Sequence, residues 1–372
     1  MQKVTILSPV HIGNGLNYPN YLLVNGKKYR FEDMVRATFH RNSKVLLSPD
    51  FLDKIASTKA SAAGSAKQEI AKVIVPNAEE IKTIEPEYEV TISAPKVNQW
   101  DINEHMKTMN QMFIPGSTIK GYIINVLMFD VIKNNQQIRN FFQRNLNNKN
   151  LIKNVELEVQ TLANQQFICR DIMFEHKPEI KLISRISKKG PIPILFECLP
   201  INATSQNDFI VWNKIDLNLE KQGFKNDISL PFYNEMVKRI RNFYSLFGKM
   251  NKDFLLNAIS YEKVFIKDCP YSMNFDKKSA ITQLELIEKE LHKGKIIVQI
   301  GKNINYIAKT TGHAYDRTFY VNNFYQFFNP GMDPKIKGAK VATPNKINSM
   351  NLVSNSMSEM YEMVPGFMEI EW

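Results

Sequence analysis

Phe113-Ile-Pro-Gly-Ser-Thr-Ile-Lys-Gly121 is the stretch on which the reading of this chain turns. A short apolar entry leads to Pro115-Gly116, a tight-turn signal, and two hydroxyl residues follow where a helix should begin. Ser117 is placed to cap that helix, because its side-chain oxygen can accept from first-turn amides that have no intrahelical partner. Free amides at a helix start, with Ser117, Thr118 and Lys120 beside them, form an anion site. Gly121, one turn in, is expected to let another backbone approach closely. Downstream, Ile119, Tyr122, Ile123, Val126 and Leu127 repeat at helical spacing and mark one face as core.

The anion to consider first is set by composition. The chain has 372 residues, and 48 Lys and Arg against 37 Asp and Glu leave a net charge of +11. That excess favours a polyanionic partner, and an RNA phosphate fits it. A hydrophobic content of 44% supplies a sizeable core, in two ordinary domains or one large one. Cys169, Cys198 and Cys269 are odd in number and form no CxxC pair, which argues against a disulfide scaffold and a zinc site. A reducing cytoplasm is expected. The amino terminus reaches Pro9 too soon for a signal peptide, and no apolar run approaches a membrane span. No Walker loop, HD pair or paired-carboxylate motif occurs, so no cofactor or metal is expected.

Working outward, Val4 to Leu7 reads as a first strand. The glycine-bearing turn Val10-His-Ile-Gly-Asn-Gly15 that follows is not a dinucleotide fingerprint. Tyr21–Val24 and Lys28–Phe31 flank Asn25-Gly26 as a hairpin with a type I′ turn, and a helix is expected from Glu32. Residues 57–67 are small and polar and read as a flexible insertion. The asparagine-rich segment from Lys133 to Lys153 holds five basic residues and no acid. Val155–Val159, Phe167–Phe174, Ile194–Glu197, Phe209–Trp212 and Ile296–Ile300 read as strands. Leu230–Gly248 and Ala280–His292 read as helices, stopped by Gly248 and Gly294. Glu175–Pro193 reads as a basic hairpin or long loop projecting between strands. Mixed helices and strands with long gaps predict an α+β fold with antiparallel sheets.

Four segments carry a family resemblance. Pro9-Val-His-Ile-Gly-Asn-Gly15 is similar to an opening motif of the RAMP superfamily of CRISPR RNA-binding proteins, and Phe113–Gly121 to that family's "IPGSSxKG" helix start. Ile186–Pro200 resembles its return strand after a thumb-like hairpin, and Pro365–Trp372 its closing proline–glycine–aromatic strand. Within the superfamily, the chain looks most like the fifth-named Csm subunits of type III-A interference complexes. It departs from the pattern at Ile300–Gly312, where Lys309-Thr310 is kept but the family's intervening glycines are absent.

The resemblance implies ferredoxin-like, RNA-recognition-like units, each a four-stranded antiparallel sheet with two helices on one face. The expected organisation is a domain over residues 1–220, with an insertion around 30–110, and a second over 221–372. The implied role is non-catalytic. The subunit binds the 3′ side of the guide RNA, caps the backbone beside a neighbouring Csm subunit, supports guide maturation, and leaves trimming to recruited host nucleases. The expected RNA contacts are His11, Gly13, Gly15, Ser117, Thr118, Lys120, Gly121, Arg170, Lys181, Arg185, Lys188, Lys189 and Lys309. The aromatics of 319–328 and the lysines of 334–346 are secondary candidates. The alternative is a metal-independent endoribonuclease acting on repeat RNA, with His11 as its general acid or base. The sequence offers no second group to pair with it.

Overall fold

In the computed structural model the described residues are 1–58, 64–95, 101–146, 148–187, 190–212, 229–269, 271, 273–316, 318–319, 349–354 and 358–372. Strands and helices are each numbered in chain order. The first sheet runs β14 (Thr204–Asn207), β1 (Gln2–Ile6), β19 (Phe367–Glu371), β16 (Ile296–Gln299), antiparallel throughout. Its register places Val4 opposite Ile370 and Ile6 opposite Met368, with Val298 opposite Met368 in turn. Side chains alternate across a pleat, so these residues share one face and join one core. Ile297 and Phe367 point the other way, into a second core.

The larger sheet runs β18 (Tyr361–Met363), β17 (Ser349–Ser354), β12 (Glu179–Ser187), β13 (Gly190–Cys198), β7 (Ile102–His105), β2 (Gly13–Tyr18), with β6 (Thr91–Ile92) also on β12. Most of its pairs are antiparallel; β13 with β7 and β12 with β6 are parallel. Three small ladders complete the strands. They join β8 (Lys107–Thr108), β9 (Gln111–Ile114) and β11 (Ile172–Phe174); β10 (Phe167–Cys169) and β15 (Ile210–Trp212); and β3 (Leu23–Val24), β4 (Lys27–Lys28) and β5 (Tyr88–Glu89). At the β3–β4 turn Asn25 and Gly26 have φ of 50° and 74°, as a type I′ turn requires.

The helices are α1 (Phe31–Leu46), α2 (Pro49–Thr58), α3 (Gly64–Ile74), α4 (Gly116–Asn134), α5 (Gln136–Asn145), α6 (Lys149–Gln166), α7 (Ser229–Arg241), α8 (Phe243–Asp268) and α9 (Lys277–His292). The first three close a small core of Leu46, Phe51, Ile70 and Ile74 within the expected insertion. Helix α4 is buried nearly all round, since Ile124, Met128, Phe129, Val131 and Ile132 join the predicted face in the core. Helix α8 serves both cores: Phe243, Phe247, Met250 and Phe254 enter the first, and Leu255, Ile259, Phe265 and Ile266 the second. At 26 residues it spans ~39 Å, enough to bridge them.

Several expectations are corrected. Val155–Val159 lies inside α6, because Asn148 caps that helix through Leu151 N at 3.2 Å and Leu162 and Ala163 dock its far end. Asn135 caps α5 in the same way, so two of the segment's asparagines are helix starts. Gly248 does not stop a helix. It lies within α8 and faces Ile296, from which even an added Cβ would keep an ordinary 3.9 Å. Of the two readings of Glu175–Pro193, the hairpin holds, since β12 pairs with β13 directly, and the projecting loop does not, since β12 is also paired along its other edge to β17. Both large sheets take strands from each side of residue 220, and residues 213–228 are outside the described set.

Candidate nucleic-acid interface

The loop from Ser8 to Ile12 passes from the first sheet to the larger one, and its backbone meets four other segments. Gly366 N donates to Pro9 O at 3.0 Å and Leu199 N to Val10 O at 2.8 Å. Lys302 N donates to His11 O at 2.9 Å and Met106 N to Ile12 O at 2.7 Å. Gly301 has a φ of +118°, and a Cβ there would lie 2.9 Å from His11 O, so only glycine lets this loop come so near. The opening motif, the return strand, the closing strand and the altered loop therefore meet at one place.

The Phe113–Gly121 stretch is tied to the same junction by His105. Its Nδ1 accepts from Ile12 N at 3.2 Å, and its Nε2 lies 3.3 Å from Phe113 O. A ring nitrogen that accepts from an amide is unprotonated, so the hydrogen is on Nε2. Burial holds this ring's pKa well below the usual histidine value, and His11 and Lys107 act in the same direction.

His11 is 2% exposed and packs on Phe196 at 4.8 Å between ring centroids. Its Nδ1 is 2.7 Å from Glu197 O. A carbonyl only accepts, so Nδ1 carries the hydrogen and Nε2 the lone pair. Burial lowers its pKa to about 4, opposed by the Glu197 carbonyl and reinforced by Lys302 and Lys107. Nε2 is buried with no hydrogen-bond partner among the described residues. Beside it lies Gly13, with Lys302 on the other side. Lys309 Nζ donates to Lys302 O at 2.8 Å, and burial, then the Lys302 charge, lowers its pKa. Gly15 has a φ of +88° and open space around it.

Below the junction sits a fully buried carboxylate. Glu197 Oε1 accepts from Tyr18 and Tyr88 hydroxyls, each at 2.8 Å, and Oε2 from His105 N at 3.0 Å and Lys107 Nζ at 2.5 Å. Both tyrosines are pushed far up by burial and then by that carboxylate. These bonds join β2, β5, β7, β8 and β13 and hold the end of the sheet in place.

The register of β12 and β13 carries the surface onward. Lys181 pairs with Phe196, Ile183 with Ile194 and Arg185 with Ile192, so all six share one face of the sheet. The opposite face carries Ile180, Leu182, Ile186 and Leu195, packed with Leu255 and Ile259 of α8 and Leu284 and Leu291 of α9. The His11 ring sits on Phe196 and thus on the face opposite α8 and α9, where Ile183, Phe196, Cys198 and Val353 form a small buried cluster. Lys181 Nζ is 2.9 Å from Glu179 Oε1, and Arg185 is exposed. Ile192 and Ile194 are 57% and 38% exposed, so this face mixes cations with uncovered apolar surface.

The α4 start differs from expectation. Pro115, not Ser117, stands at the cap position, and no side chain caps the helix there. Gly116 N donates to Asp171 Oδ1 at 2.8 Å, so a carboxylate of the chain itself sits at the amides predicted to meet a phosphate. The close backbone approach is at Gly116, where a Cβ would lie 2.0 Å from Cys169 O; Gly121 faces open space. Ser117 is exposed and Thr118 half-buried, while Lys120 Nζ donates to Asn164 at 2.8 Å and lies 5.7 Å from the Phe167 ring. Exposed Arg170 lies beside Asp171. Lys188, Lys189, the lysines of 334–346 and nearly all of the aromatic segment 319–328 are outside the described residues.

Sequence reading missed His105, Lys107, Glu197 and Lys302. Only Lys302 carried a local signal, a cation directly after Gly301. Among the described residues no group of histidine, cysteine or carboxylate side chains could hold a metal, and no helix is long and apolar enough to cross a membrane.

A model of the RAMP superfamily matches residues 3–343. The chain belongs to the RAMP superfamily. One solved structure of similar fold is a chain of the cryo-EM structure of a Csm–crRNA–target RNA ternary complex in a type III-A CRISPR–Cas system. It is 16% identical with a TM-score of 0.62, over 100% of this chain and 99% of that one. The crystal structure of T. onnurineus Csm5 is 14% identical with a TM-score of 0.56, over 99% of this chain and 100% of that one. At these identities the RAMP likeness is one of fold, over the whole length of each chain. No curated protein matches the sequence.

Proposed function

We infer that this protein is a non-catalytic RNA-binding subunit of a type III-A CRISPR effector. It would engage the 3′ side of the guide and dock a neighbouring backbone subunit. The observation that carries this reading is the sheet face opposite α8 and α9, which runs from His11 and Gly13 through Lys181 to Arg185 and has Lys302 and Lys309 at its rim. Cations at the edge of an open sheet suit phosphates of any sequence, as a guide-binding subunit requires. Gly15 leaves room for a strand to approach, and Lys188 and Lys189 follow Arg185 in the chain. The α4 start, with Ser117, Thr118, Lys120, Gly121 and Arg170, is a second contact, where a phosphate would compete with Asp171. Ile192 and Ile194 are the apolar surface for the neighbouring subunit, and host nucleases would trim the guide.

The endoribonuclease reading has one observation behind it: His11 now has a cation beside it, Lys302. Against it, a ring titrating at about 4 is a weak base at neutral pH. Incubating the purified protein with guide and repeat RNA in EDTA distinguishes the two. Salt-sensitive binding with intact RNA is expected. Site-specific cleavage lost in His11→Ala would replace this reading with the enzymatic one.

A further inference from the structure

We propose that His11 Nε2, the side-chain-free Gly13 and the movable side chain of Lys302 form a subsite for one ribonucleotide. The imidazole accepts a hydrogen bond from a ribose 2′-hydroxyl, and the lysine holds an adjacent phosphate. This rests on the RNA-binding reading above and names what that surface recognises.

His11 Nε2 is an orphaned acceptor. The Glu197 carbonyl fixes the hydrogen of His11 on Nδ1 and leaves a lone pair on Nε2. That nitrogen is buried without a donor among the described residues. Buried acceptors are rarely left so, because they lose their bond to water and gain nothing in return. The ring stays neutral at physiological pH, so Nε2 can accept but not donate. The missing partner is therefore a donor, and a hydroxyl is the small donor that distinguishes RNA from DNA.

The space for it is defined by Gly13. A Cβ at this residue would sit 3.0 Å from His11 Nε2, 3.0 Å from Lys302 Cδ and 3.4 Å from Lys302 Nζ. The far end of the Lys302 side chain closes this place over Nε2, and turning that flexible side chain outward would uncover Nε2 for a hydroxyl and leave the ammonium beside it. Lys302 reaches the spot because its amide is fixed to His11 O, while its side chain is exposed enough to turn toward a phosphate. Lys309, bound to the Lys302 carbonyl, adds a second positive charge to the same loop. Gly13 is not among the glycines with positive φ, so a methyl group there would press against Nε2 and the Lys302 side chain without straining the backbone.

The test compares binding of the full chain to single-stranded RNA and to 2′-fluoro RNA of the same sequence, which keeps the sugar shape but cannot donate. The wild type should prefer RNA by about tenfold, the scale of one well-made hydrogen bond in a buried site. Gly13→Ala and His11→Phe should lose that preference and still bind 2′-fluoro RNA. Lys302→Met should weaken both ligands alike. Equal wild-type affinity for the two ligands would overturn the subsite and leave the RNA-binding reading standing. A Gly13→Ala protein that is folded by circular dichroism and keeps the preference would overturn it equally. Failure of the wild type to bind either ligand would remove both the subsite and the reading on which it rests. Cleavage of the RNA by wild type but not by His11→Phe would make His11 a base and overturn the binding role.

Discussion

Glu262 of α8 is buried, and its neighbours are amides. Oε1 accepts from Asn305 Nδ2 at 2.9 Å and from Gln299 Nε2 at 3.5 Å, while Oε2 and Gln299 Oε1 have no partner among the described residues. Burial raises its pKa to about 7, with the two amides pulling the other way. The folded chain therefore holds this proton more tightly than the unfolded one between pH 4.5 and about 7, and stability falls as pH rises through that window. His11 acts oppositely: its depressed pKa makes stability fall as pH drops from 6.5 toward 4. Glu262→Gln isolates the first effect. Above pH 8 the variant should be more stable than wild type by about 3 kcal/mol, at ~1.4 kcal/mol per pKa unit, with near-equal stability at pH 5. Denaturant unfolding at both pH values checks this; a wild-type and variant difference that does not change with pH would contradict it. At this scale the sequence was informative where the signal is local. Pro115-Gly116 and Asn25-Gly26 were legible because turns need those residue types. His105, Lys302 and Glu197 were not, because their partners are far along the chain and only folding brings them together. Ser117 was assigned the cap because hydroxyls favour it, yet Pro115 takes that position and Asp171 supplies the anion.

Strand β12 is the element that turns sequence alternation into a surface. Its even-numbered residues Ile180, Leu182 and Ile186 face the helices, and its odd-numbered residues Lys181, Ile183 and Arg185 face away. The charge in this segment was legible, but its place was not. A run of cations closed by Gly190-Pro191 reads as a hairpin or a long loop, and pairing to β13 and β17 makes it a hairpin whose first strand is the middle of a sheet. The α6 helix shows the converse, since the β-branched residues of Val155–Val159 read as a strand and asparagine capping with distant packing overrode them. If β12 meets phosphates, Lys181→Ala with Arg185→Ala should weaken binding equally for unrelated guide sequences. The slope of log affinity against log salt should shrink by about 1.4, or ~0.7 for each lost single-strand phosphate contact. Titrations at several salt concentrations measure it, and an unchanged slope would place the RNA elsewhere.

The whole molecule is closed by its ends. β19 lies between β1 and β16, so a strand from the carboxyl end is central to the sheet that the amino end begins. Removing Phe367–Trp372 would strip Val4, Ile6 and Val298 of their cross-strand partners Ile370 and Met368 and open both cores. Such a truncation should lose the cooperative thermal transition, a loss visible by calorimetry; a transition within a few degrees of wild type would contradict the topology. The α+β class and the RAMP membership were legible from short motifs at the start, middle and end of the chain. Their meeting at one junction was not, because it depends on pairings such as Val10 with Leu199 and Gly366 with Pro9. The most direct test of RNA binding by the sheet face opposite α8 and α9 is photocrosslinking of the full chain to guide RNA, followed by peptide mapping. The account predicts adducts on 9–15, 179–187 and 300–309; adducts confined to α8 and α9, or none with RNA while protein neighbours crosslink, would contradict it.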